Sequence, residues 1–278
     1  MGDFMSIRTD LIAEIKAESP DNITGLKTRN EQLNDITIST VCVTNDIAAN
    51  AIKKPKGCYC TISFPRLDFI CDTNDIINAI VKSLKSVCKK KIDSALVVGL
   101  GNTDITPDAL GPFVADRILA TRHISDGLKN SLGLQKLKSV CCLTPNVLGK
   151  TGIESYDLIK SAVNTVKPDV VIAVDALAAR EAERLCRTIQ ISDSGITAGS
   201  GVNNARKTLN CKSLGVPVIA VGVPTVIDGN SFFETQENMM VTPKEIDLLI
   251  EKASDIISRA INIFLQPEID INIIESLT

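Results

Sequence analysis

The chain has 278 residues and a formal net charge of −3, with 44% hydrophobic and 23% charged residues, the balance of a globular protein that can bury a sizeable core in one or two domains. This charge leaves no basic footprint for direct nucleic-acid binding, no apolar run approaches the ~20 residues of a membrane span, and no secretory signal opens the chain, so a cytoplasmic protein is expected. Aromatic residues make up 3%, with no tryptophan and one histidine, His123. The core must therefore rest on Val, Ile, Leu and Ala, and most histidine-based mechanisms are excluded.

The first thirty residues are polar and charged, with a helical stretch around RTDLIAEIKAE. Apolar runs follow at 36–43, 58–64, 94–100, 138–143, 169–174, 187–191 and 217–223, and helical patterns fall between several of them at 75–89, 108–122, 154–166 and 177–186. This alternation predicts βαβ units in a single α/β domain, with a mainly parallel or mixed sheet flanked by helices on both faces. Ile246, Leu249, Ile250, Ala253, Ile257, Ala260, Ile261 and Phe264 recur at helical spacing and mark a long amphipathic helix. Stretches 192–213 and 224–242, rich in Gly, Ser, Asn and Thr, read as long loops of the kind that carry function. Nine cysteines, without a CxxC pair, predict reduced and mostly buried thiols. Cys58 and Cys60 would share one strand face, but a metal site needs two further ligands.

Three motifs fail on inspection. In G99-L-G-N-T-D, Asp104 stands where the third glycine of a dinucleotide fingerprint belongs. In T144-P-N-V-L-G-K-T151, Thr144 replaces the first glycine of a P-loop, so nucleotide binding through Lys150 stays only as an alternative. Asp193-Ser194-Gly195 copies the signature of pepsin-like proteases, whose two all-β lobes disagree with this pattern.

Asp108, in VVGLGNTDITPDALGP, and Asp175, in VVIAVDALAAR, each follow an apolar run and precede helix formers. In α/β folds the C-terminal ends of strands carry ligands and chemistry, so the two form a candidate acid/base pair. Asp108 also fits a plain helix start, behind Thr106 and Pro107. Nothing local solvates Asp175 before Arg180. Two carboxylates sharing one crevice would have their proton affinities pushed apart, leaving one protonated and one ionised. His123 reads as a basic residue at a helix end. The loop Asn203–Lys207 reads as a solvated turn or as a clamp on an acidic group.

The stretches RTDL at 8–11, VVGLGNTDITPDALGP at 97–112, ATRHI at 120–124, TPNVLGKTGIES at 144–155, KPDVVIAVDALAAR at 167–180, TIQISDSGITAGSGVNNARK at 188–207 and LGVPVIAVGVPTVID at 214–228 closely resemble the germination protease (spore protease) family of endospore-forming bacteria. The resemblance implies an endopeptidase that starts degradation of small acid-soluble spore proteins in the spore core. It implies a fold similar to that of hydrogenase-maturation proteases, a phosphorylase/hydrolase-like sandwich, and carries the essential aspartates onto Asp108 and Asp175. Hydrogenase-maturation relatives add a histidine and bind metal. No comparable late histidine occurs here, so an aspartate mechanism with neither metal nor cofactor is expected, with a metal-dependent maturation endopeptidase as the alternative. The family removes its own N-terminal segment at a site resembling its substrates, which places the cut between Asp10 and Leu11, residues 1–10 being the removable segment and 11–278 the protease domain. Ile12 and Ile7 depart from the Ala and the acidic residue that are usual around such cuts. An acidic residue before the cut calls for a basic pocket, for which Arg122, Arg180, Arg206 and Lys207 are the candidates. The resemblance also implies a homotetramer, and residues 1–10 lying over the cleft would hold the precursor inactive.

Overall fold

A computed structural model describes residues 9–20, 22–70, 72–131, 133–197, 207–229 and 239–270. In chain order its elements are α1 (Ile12–Ala17), β1 (Leu26–Leu33), β2 (Ile36–Val43), α2 (Asp46–Ile52), β3 (Gly57–Ser63), α3 (Asn74–Val87), β4 (Ser94–Gly99), α4 (Leu110–Asp116), α5 (Asp126–Ser131), β5 (Ser139–Leu143), α6 (Leu148–Thr151) and α7 (Ser155–Val166). Then come β6 (Val170–Ala179), β7 (Thr188–Ser192), β8 (Ile196–Thr197), β9 (Thr208–Leu209), α8 (Cys211–Leu214), β10 (Val218–Asp228), β11 (Met240–Val241) and α9 (Ile246–Leu265).

One nine-stranded sheet runs in the order β1-β2-β3-β7-β10-β6-β4-β5, with β11 beside β10. The run from β10 through β6 and β4 to β5 is parallel, and the run from β1 to β10 is antiparallel, so the sheet is mixed. α3, α4 and α9 cover one face through a single large core that includes Ile80, Val97, Leu110, Val174, Val221 and Ile257. Each fully buried Ile or Leu side chain there contributes about 1.5–3 kcal/mol relative to exposure. Asn262, on α9, accepts the Leu119 amide and donates to the Arg117 carbonyl, tying the end of α4 to this layer. The opposite face is covered in two pieces: α7 and α8 pack over β4 and β6, while α1 and α2 pack over β2 and β3.

Several expectations need correction. The helix expected at 177–186 is the second half of β6, followed by a single 3-10 turn at Ala182–Arg184. Its Ala-rich sequence favours a helix, but pairing with β10 and burial of Leu177 and Ala179 override that preference. The helix expected at 108–122 shrinks to α4 behind a 3-10 turn at Thr106–Asp108. β1 is a polar edge strand with no inward apolar alternation, joined to β2 through Asn34 at φ 51°, a conformation that Asn tolerates well. The loops expected at 192–213 and 224–242 contain β8, β9, α8, the end of β10 and β11. Cys42 and Cys58, opposite each other across β2 and β3, are joined by a disulfide rather than both being thiols.

Candidate active site

Strand alternation puts Val174 into the α9-side core and turns Ala173 and Asp175 to the opposite face. There, between the two pieces of helical cover, β3, β7, β10 and β6 floor a cleft of about 160 Å³ lined by Asp10, Lys54, Tyr59, Asp175, Gln190 and Ser192 among others. Register places Asp175, Gly222, Gln190 and Thr61 in one row across four strands. Gly222 opens that row: a Cβ on it would lie 2.6 Å from the Leu177 side chain. Asp175 is 6% exposed, and its Oδ1 accepts the Ala176 amide at 3.0 Å. It does not end its strand. β4 stops at Gly99 opposite Val174, whereas β6 continues for another four residues beyond Asp175.

The chain's own N-terminal stretch enters the cleft. The Asp10 amide donates to the Ala178 carbonyl at 2.9 Å, and the Asp10 carboxylate accepts the Ala178 amide at 2.9 Å. Leu11 is fully buried against Leu177, Ala179 and Ile227. The carbonyl between them, that of Asp10, accepts Lys54 Nζ at 2.9 Å and Gln190 Nε2 at 3.2 Å. Ile12 N donates to Gln190 Oε1 at 2.7 Å, which fixes the orientation of the Gln190 amide. One turn further, the buried Glu14 carboxylate accepts the Arg180 and Glu181 amides at 3.0 Å. Lys54 is presented by the left-handed Lys53 that ends α2. Tyr59 donates to the Pro55 carbonyl at 2.8 Å, and burial pushes its phenol up to about 12.

Asp108 closes the 3-10 turn that packs against β6, β10 and α9. Its carbonyl accepts the Asn102 amide at 3.1 Å, and Leu100 N donates to Val174 O at 2.8 Å. The turn at 100–102 thus connects the backbone of Asp108 to the residue before Asp175. This approach needs glycine: at Gly101 (φ +122°) an added Cβ would lie 1.9 Å from Asp108 O, and at Gly111 it would lie 2.5 Å from Val174 O. Asp108 itself does not line the cleft.

The family model described as germination protease matches residues 7–236. The chain belongs to the germination protease family. Germination proteases of Clostridium acetobutylicum and Clostridium tetani are each 38% identical to it, over 96% and 98% of this chain and 97% and 99% of theirs. That of Caldanaerobacter subterraneus is 39% identical over 95% of both. A crystal structure of a NiFe hydrogenase maturation protease from Thermococcus kodakarensis aligns at TM-score 0.41 and 19% identity, over 66% of this chain and 98% of that one.

In this peptidase none of the expected basic residues that are described lines the cleft. Arg122 is exposed, and its amide donates to Val140 beside the opposite end of the parallel strands. The Arg180 guanidinium pairs with Glu18. Lys207 pairs with Asp157 at 3.2 Å and lies over the Tyr156 ring. Arg206 lies outside the described residues. His123 is exposed in the turn after α4. Among the described residues no group of three or more His, Cys, Asp or Glu is placed to hold a metal ion. Lys150 pairs with Asp104 rather than facing a glycine-wrapped loop. Neither Lys54 nor Gln190 stands out in the sequence. TIQIS does place Gln190 and Ser192 on one strand face, but the lysine in KKPKG reads as an ordinary solvated turn.

Proposed function

We propose that this peptidase starts the breakdown of small acid-soluble spore proteins during germination by cutting after acidic residues, and that it first cuts itself between Asp10 and Leu11. The supporting observation is the seating of the Asp10–Leu11 peptide in the cleft that Asp175 lines. An acidic side chain before the bond meets a backbone amide, and the apolar side chain after it fills an apolar pocket. In this reading one of Asp108 and Asp175 takes a proton from water as it attacks the carbonyl carbon, and the other, protonated, delivers a proton to the leaving nitrogen. Asp175 acts from the cleft lining, and Asp108, outside that lining, would act through a bridging water. The enzyme would act as a homotetramer in the spore core. No helix among the described residues is long and apolar enough to cross a membrane.

Asp108→Asn and Asp175→Asn should each abolish the appearance of a chain beginning at Leu11, and the cutting of a purified acid-soluble spore protein, with unchanged urea midpoints. Intact-mass measurement reads both reactions. Full cleavage by either variant would sink the aspartate mechanism, and cuts that ignore acidic residues would sink the specificity.

A further inference from the structure

We propose that Lys54 and Gln190 are the pair that polarises the scissile carbonyl. The assignment rests on the proteolytic reading above. Both side chains donate to one oxygen, that of Asp10, at 2.9 and 3.2 Å. A carbonyl needs one donor to be satisfied, and two converging donors, one of them cationic, match what a developing oxyanion requires. The donors come from elements far apart in sequence, the end of α2 and the middle of β7. Gln190 cannot turn its oxygen toward Asp10 without losing the Ile12 amide, so its NH₂ stays aimed at the carbonyl. When water bonds to the carbonyl carbon and yields its proton to the basic aspartate, the C=O electron pair moves onto oxygen. The Lys54 ammonium and the Gln190 amide hold that charge. The pair returns as the C–N bond breaks, and the acidic aspartate protonates the Leu11 nitrogen. A substrate bound in place of residues 9–12 would present its own carbonyl to the same two donors.

The test follows self-cleavage of the full-length chain by mass, together with hydrogen exchange at the Leu11 and Ile12 amides. Lys54→Met should slow the reaction by about 10²–10³, the usual loss for one oxyanion donor, with amide protection unchanged. Lys54→Arg should restore part of the rate. Gln190→Glu keeps an acceptor for Ile12 while removing the second donor, and should slow cleavage without unseating the segment. A Lys54→Met chain that cuts at the wild-type rate overturns the assignment. So does a slow one that has also lost protection at Leu11 and Ile12, because Lys54 would then only anchor the segment. A wild-type chain that never cuts itself, or an Asp175→Asn chain that does, overturns the proteolytic reading and the assignment with it.

Discussion

Tyr59 lines the cleft with a phenol whose proton affinity reflects its surroundings. Burial raises it from 10.0 to about 12, with the Ser194 hydroxyl acting to lower it and the Asp193 charge to raise it. The unfolded phenol ionises first, so above pH 10 the native chain binds more protons than the unfolded one and stability falls as pH rises. Tyr59→Phe should cost about 1 kcal/mol near neutrality through loss of the bond to Pro55. The gap between the urea midpoints of wild type and variant should narrow as pH climbs above 10. A gap that stays constant through that range would argue against a buried, neutral phenol. Asp175 was legible in the sequence because a carboxylate inside an apolar run has no bland explanation. Lys54 and Gln190 were not, because their meaning depends on a third residue, Asp10, that only the fold brings to them. Asp108 was picked out in the sequence, yet its turn serves partly to pack against the sheet.

At the scale of elements, the contact between β4 and α4 depends on two missing side chains. A Cβ on Gly111 would lie 2.2 Å from Leu100 O and 2.5 Å from Val174 O, and one on Gly99 would lie 2.2 Å from Gly111 O. These neighbours are backbone and cannot swing aside. Gly111→Ala should therefore cost about 3 kcal/mol, read as a lowered urea midpoint, and should weaken cleavage by moving the turn that carries Asp108. Apolar runs gave away β2 to β7 and β10, and periodicity gave away α3, α7 and α9. β1 stayed hidden because both its faces are polar. The second half of β6 reads as a helix in the sequence because Ala-Leu-Ala-Ala is helical by composition and extended only through its pairing with β10.

Across the whole molecule, the α9 side of the sheet carries one continuous core, while the other side is divided and leaves the cleft between its parts. Residues 9–12 lie in their own chain's cleft, so self-cleavage should be first order. The fraction cut at a given time should not change on serial dilution, and a rate that falls with dilution would show that one molecule cuts another. The seating of Asp10 between Lys54, Gln190 and Ala178 also bears on competition. A tethered segment occupies its site at an effective concentration in the millimolar range or above, roughly what a short linker supplies, so a free protein should be outcompeted while the bond is whole. Under the proposed processing, cutting the bond would release residues 1–10 from the tether, while Leu11 and Ile12 stay on the chain. The part of the occupant that ends at Asp10 would then be a dilute peptide, and its half of the cleft would open to substrate as that peptide diffuses away.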